Sequence, residues 1–201
     1  EVRASEDSFV DEFVKFAPIH GYTGILANYS RSYIDLNRDY KVFDSKIIEG
    51  VMPNASCIYT NNGFGVIPRI SGGNLKIYKE KIPLNDAKNR LETIYNPYHA
   101  AVKANLDDCL AKFEKAMLLD IHSMPKKALG DNDCDIVIGD RFGTSCDDAI
   151  TKYLREFFSS RGLKVQLNSP YAGGYTTRQY GKPKSRIHAV QIEVNRSLYM
   201  N

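Results

Sequence analysis

Ala189-Val-Gln-Ile-Glu-Val-Asn195 alternates strictly: extended, it puts Val190, Ile192 and Val194 on one face and Gln191, Glu193 and Asn195 on the other. Such a strand either lies at a sheet edge with its polar face in water, or lies inside a sheet with its polar groups committed to partners. The neighbouring segments indicate the architecture. Ala116–Ile121, Asp135–Ile138 and Leu163–Leu167 are short apolar runs that read as strands, and Cys146–Ser160 reads as a helix between two of them. Apolar strands alternating with helices predict an α/β layered sheet, partly parallel and covered on both faces.

Further out the pattern is weaker. Phe9, Val10, Phe13, Val14 and Ala17 share a helical face, with Ser5 placed to cap and Glu6 and Asp7 in the first turn. Thr23–Ala27 and Tyr33–Leu36 are rich in β-formers and predict two strands, or one with a bulge. From about Asp39 to Leu84 no period emerges, and Gly63, Gly65, Pro68, Gly72 and Gly73 mark turns. Loops of that length are usually functional, which makes this one a candidate substrate lid. Asn85 is placed to cap a helical pattern running from Ala87 to Phe113, with Pro97 as a kink or break, so that one bent helix or two are expected.

The bulk composition narrows the function. With 43% hydrophobic and 25% charged residues, the 201-residue chain reads as one soluble domain spanning 1–201. Its 27 basic residues are interspersed among 24 acidic ones, so the net +3 forms no footprint for nucleic acid. No apolar run approaches the roughly 18 residues of a membrane span. The opening EVRASEDSF lacks the apolar core of a signal peptide, so a cytoplasmic location is expected. Cys57, Cys109, Cys134 and Cys146 contain no Cys-x-x-Cys pair and read as reduced thiols.

Reactive groups in such sheets collect beyond the carboxyl ends of strands. His122 follows the strand expected to end at Ile121, two residues after Asp120. It reads either as a metal ligand or base, or as a hydrogen-bonded core histidine. Glu193, if its strand is internal, is a candidate general base, since burial tends to raise a carboxyl pKa. Arg31, Arg38, Arg141, Arg178 and Arg196 all fall near expected strand ends or turns, and guanidinium forks suit carboxylates. Ser145 and Cys146 lack a nucleophile elbow, so a polar helix-capping turn is the better reading.

Six blocks, in order, resemble the signature segments of the N-formylglutamate amidohydrolase family. They are Ser30-Arg-Ser-Tyr-Ile-Asp-Leu-Asn-Arg38, Tyr95-Asn-Pro-Tyr-His-Ala-Ala101, Asp120-Ile-His-Ser-Met-Pro125, Gly139-Asp-Arg-Phe-Gly-Thr-Ser-Cys-Asp147, Asn168-Ser-Pro-Tyr-Ala-Gly-Gly-Tyr175 and His188-Ala-Val-Gln-Ile-Glu-Val-Asn-Arg196. The resemblance implies a three-layer α/β/α fold with a central mixed sheet, like zinc carboxypeptidases and aspartoacylases. It implies Zn2+-dependent hydrolysis of N-formyl-L-glutamate to formate and L-glutamate, late in histidine breakdown. By position it makes His122 and Asp7 zinc ligands, with Glu6 the alternative to Asp7, and Glu193 the base. Arg31, Asn37, Arg38 and Arg178 become substrate-binding residues. Family members carry a Pro-His-Ser-Gly-type element upstream of the segment matching Ser5–Asp11, whose histidine would be a further ligand; this sequence starts at Glu1. Either no metal or an incompletely coordinated one is therefore expected. The alternatives are a related metallo-hydrolase of another N-acyl amino acid, or an inactive member that binds small anions.

Overall fold

The computed structural model describes residues 6–41, 43–53, 58–72, 74–130 and 133–200. The regular elements are, in chain order, α1 (Val10–Val14), α2 (Ile58–Asn61), α3 (Leu84–Arg90), α4 (Asn96–Phe113), β1 (Ala116–Met124), β2 (Ile136–Gly139), α5 (Asp148–Ser159), β3 (Val165–Leu167), α6 (Tyr175–Tyr180) and β4 (Ile187–Asn195). The chain divides into two compact units. One holds residues 1–8 and 24–102, the other residues 9–23 and 103–201.

The second unit contains the sheet, ordered β1-β4-β2-β3. β1 runs parallel to β4 and β2 parallel to β3, while β2 and β4 are antiparallel, so the sheet is mixed as expected. β4 pairs with β1 along its whole length and with β2 from Gln191 to Val194, so the stretch that carries Glu193 is not at an edge. Its apolar face joins Val190 and Ile192 to Ile136 and Ile138, and Ile150, Leu154 and Phe158 of α5 pack against them. The opposite face carries a second apolar cluster of Met124, Leu129, Cys134 and Val137 with Tyr171 against it. α6 packs on β4 and β1. Asp147 caps α5, its side chain accepting from the N–H of Ala149, whereas Ser145, expected in the capping turn, donates its Oγ to Ala189 O instead.

The first unit has little regular structure but a real core. Ile34, Ile47, Ile48, Val66, Ile67, Ile82, Ala87 and Tyr95 are buried. The expected irregularity of residues 39–84 is correct, yet much of the segment is packed interior stitched by the bridges Ile48–Ile82 and Ile70–Lys76. Neither Thr23–Ala27 nor Tyr33–Leu36 forms a strand. Strands need a ladder partner. Instead the N–H groups of Tyr33 and Ile34 turn back on Ser30 O, and only Asp35 N reaches another segment, at Val66 O.

Two helix readings also change. α1 starts only at Val10, because Phe9 takes a left-handed φ of 62°; Glu6 and Asp7 therefore precede the helix, and Ser5 lies outside the described residues. The long helix begins after Pro83, which takes the cap position expected of Asn85. It does not break at Pro97. Residues Leu91–Tyr95 between α3 and α4 form a π-turn, with Asn96 N bonded to Leu91 O, and the chain remains helical to Phe113. The wider turn just before a ring that cannot donate is the usual accommodation.

Candidate functional site

The polar face of the sheet in the second unit is built by register. Asp120 stands beside Gln191 and His122 beside Glu193 on the parallel strands β1 and β4, so the four side chains emerge on one side. Three are buried: His122 is 8% exposed, Gln191 5% and Glu193 6%. A water-exposed polar face is thereby excluded, and the partners can be named. Gln191 Oε1 accepts from Gly174 N at 2.7 Å, and its Nε2 donates to Glu193 Oε1 at 2.6 Å. Because a backbone N–H can only donate, the amide orientation is determined: oxygen to Gly174, nitrogen to the carboxylate. His122 Nε2 lies 3.0 Å from Asp120 Oδ1. His122 sits inside β1 and not beyond its end, since the strand continues three residues past Ile121.

Around this row the turns are tightly specified. Gly139, opposite Gln191, packs so closely on Ala172 and Gly173 that a Cβ there would lie 2.7 Å from their backbone. Asp140, 5% exposed, accepts from Gly143 N, Asn168 Nδ2 and Thr151 Oγ1. Asn168 Oδ1 in turn accepts from the N–H groups of Asp140 and Phe142. Arg178 in α6 holds its guanidinium 5.4 Å from the Tyr175 ring centroid, and Arg196 donates to Ser123. Burial pushes the Cys146 thiol up to about 11, with Asp140 and Asp147 adding to the shift against a Thr151 hydrogen bond. That suits an inert core thiol and not a nucleophile.

The remaining candidates belong to the first unit and are organised by one buried carboxylate. Asp35 lies 3.4 Å from Arg31 Nε and 3.7 Å from Arg38 Nε, and accepts from Asn37 N at 2.9 Å. Arg31 also reaches Asp7 Oδ2 at 3.6 Å, so the residue expected as a metal ligand is ion-paired with one expected to bind substrate. Arg38 donates to the carbonyls of Phe64 and Asn37 and lies 5.0 Å from the Tyr59 ring centroid. Tyr95 OH donates to Arg38 O, and His99 Nε2 is 3.0 Å from Leu36 O, which gives the Tyr95–Ala101 block a structural role. Asp35 escapes a search for site residues, because residues 31–38 lie in turns and carry no helical or strand period that would pair it with Arg31 and Arg38.

Among the described residues no group of three His, Cys, Asp or Glu side chains gathers to hold a metal. Asp7 and His122 fall in different units. Two donors, one ion-paired and one beside Asp120, are fewer than the three protein groups of a catalytic zinc, so the described residues do not make up that site.

Known proteins resemble this chain over nearly its whole length. The family model for N-formylglutamate amidohydrolase matches residues 1–200. N-formylglutamate deformylase of Pseudomonas putida is 31% identical over 200 residues, covering 96% of this chain and 70% of the relative. The enzyme of the same name from Pseudomonas aeruginosa is 30% identical over 209 residues, covering 100% and 74%. The crystal structure of N-formylglutamate amidohydrolase from Ralstonia eutropha JMP134 superimposes with a TM-score of 0.91 at 31% identity, covering 100% of this chain and 75% of that one. A gene product of Agrobacterium tumefaciens shares the fold at a TM-score of 0.58 and 20% identity, over 86% of this chain and 60% of its own. The match runs through all six sequence blocks and the mixed sheet that carries the polar row, and this chain belongs to the N-formylglutamate amidohydrolase family.

Proposed function

We propose that this chain hydrolyses N-formyl-L-glutamate to formate and L-glutamate, with Glu193 as general base. The observation that carries the reading is a carboxylate on an inner strand, 6% exposed and oriented by Gln191, in a protein whose relatives bear the name of that activity. A buried acid beside a histidine is costly to keep unless it has work to do. Water attacks the formyl carbon while Glu193 takes its proton; the same carboxyl then delivers the proton to the glutamate nitrogen as the C–N bond breaks. Formic acid and the amine leave, the acid's proton passing to the amine in water to give formate and ammonium, and Glu193 is again ionised. Arg31, Asn37, Arg38 and Arg178 serve in this reading as substrate-binding groups, and histidine breakdown is the setting the family suggests. Zinc belongs to the same reading, with His122 and Asp7 as two donors that do not by themselves complete a site.

The test is Glu193→Gln in the full chain, assayed for formate release with zinc supplied. Loss of 10²–10⁴-fold in kcat is expected. Retained turnover would refute the base assignment. Faster acetate release from N-acetylglutamate than formate release from N-formylglutamate would instead favour another acyl group.

A further inference from the structure

Arg141 is held in an unusual way for a surface arginine. It and Phe142 have φ of 55° and 57°, followed by Gly143 at 77°, a left-handed run that non-glycine residues rarely adopt. The loop is over-determined from both sides. Arg141 N donates to Ala172 O at 2.7 Å, Thr144 Oγ1 donates to Arg141 O at 2.7 Å, and Asn168 and Asp140 hold the flanking residues as described. This backbone sends the side chain across Gly173, where a Cβ would lie 3.0 Å from Arg141 Cγ. Nη1 makes a long bond of 3.4 Å to Gly173 O. The adjacent residue, Gly174, is the one bonded to Gln191 and through it to Glu193.

The guanidinium is otherwise uncommitted. Its Nε and Nη2 bond nothing among the described residues, and the nearest acid in sequence, Asp140, is occupied by Gly143, Asn168 and Thr151. Arg31, Arg38 and Arg196, by contrast, are engaged with Asp7 and Asp35, with backbone carbonyls, and with Ser123. Using Nη1 on Gly173 leaves the side-on Nε–Nη2 edge, the geometry that takes a carboxylate through two parallel hydrogen bonds. We propose that Arg141 anchors a carboxylate of the substrate at the Gly173–Gly174 turn. The proposal rests on the amidohydrolase reading for the identity of that carboxylate, which is either the α-carboxylate or the side-chain carboxylate of glutamate.

The test is calorimetric binding of the product L-glutamate, which needs no turnover, alongside L-glutamine and L-isoglutamine, each lacking one carboxylate. Arg141→Met should weaken glutamate binding at least tenfold, and Arg141→Lys should restore part of it. Arg141→Gly should lose binding as fully while unfolding no earlier than wild type, because glycine suits the left-handed backbone. The weakening should vanish for whichever amide lacks the carboxylate Arg141 holds, which tells the two sources apart. Binding of glutamate by the Met variant within twofold of wild type, equal loss on all three ligands, or no binding of glutamate by wild type would each overturn the proposal. Glu193→Gln assayed for formate release serves as the separate control: turnover in that variant would sink the base assignment and leave the Arg141 binding result standing.

Discussion

Gln191 shows how much a single amide can determine. Its two ends bond groups of opposite character, a backbone donor at Gly174 and a carboxylate acceptor at Glu193, so flipping it would break both contacts. The consequence is that the direction of the Glu193 carboxylate is coupled to the turn carrying Gly173 and Gly174. Gln191→Glu separates the two functions, because a carboxylate can still accept from Gly174 N but can no longer donate to Glu193. Two adjacent acids then push the base away from its working position. A kcat lower by about 10–100-fold with little change in KM is expected, since misplacement of a reacting group costs rate more than binding. Steady-state kinetics on the purified variant checks this; a rise in KM at unchanged kcat would show that Gln191 acts on substrate instead.

At the scale of elements, the loop from Asp140 to Asp147 is the best-specified irregular segment of the second unit. Asp140 ties three donors from three places, Gly143 in the loop, Thr151 in α5 and Asn168 at the end of β3, and it is buried while doing so. Asp140→Ala removes the common acceptor and leaves those donors short of partners. Of these donors only Thr151 is buried, and a buried group so orphaned costs about 1–3 kcal/mol, while Gly143 and Asn168 can turn to water, so the total should be about 2–3 kcal/mol. A urea denaturation curve gives the value, and a loss below about 1 kcal/mol would mean the loop is held by its other bonds. Much of this unit is legible in the sequence, because apolar runs and alternation report burial on two faces directly: β2, β3, β4 and α5 lie where the periodicity puts them, and β1 starts there but runs three residues further. The Gly174 bond to Gln191 is not legible, since it joins residues brought together only by α6 packing on the sheet. The first unit is hardly legible at all. Its core residues Ile34, Ile47, Ile48, Val66 and Ile67 follow no period, because turns and not ladders space them. Asp35 is missed for the same reason: its partners lie along a turn, where no strand or helix period draws attention to it.

At the scale of the whole molecule, the site depends on a fold that must stay intact at the pH where the base works, and shielded thiols and a phenol, with the largest shifts at Cys146 and Tyr180 and a raised pKa also at the buried Cys134, weaken it in alkali. Burial raises the Cys146 thiol from an ordinary 9.0 to about 11, and burial raises the Tyr180 phenol from 10.0 to about 12, with Tyr175 adding to it. Both groups are neutral when protonated, so the fold favours the protonated form. Below pH 9 neither state of the protein ionises them, and their contribution is fully present. Between pH 9 and 11 the unfolded chain gains by ionising its thiol while the folded chain does not, and between 10 and 12 the same holds for the phenol, so stability falls through that window. For Cys146, 1% exposed, the shift corresponds to about 2–3 kcal/mol; Tyr180 is only half-buried and its share is smaller. Urea midpoints should therefore be flat from pH 8 to 9 and then decline steadily to pH 11. Cys146→Ala removes the thiol's part, so its midpoint should decline less over pH 9 to 11 than that of wild type. Parallel declines in the two proteins would show that ionisation elsewhere governs alkaline unfolding, and that Cys146 is buried without cost to the stability of its fold in base.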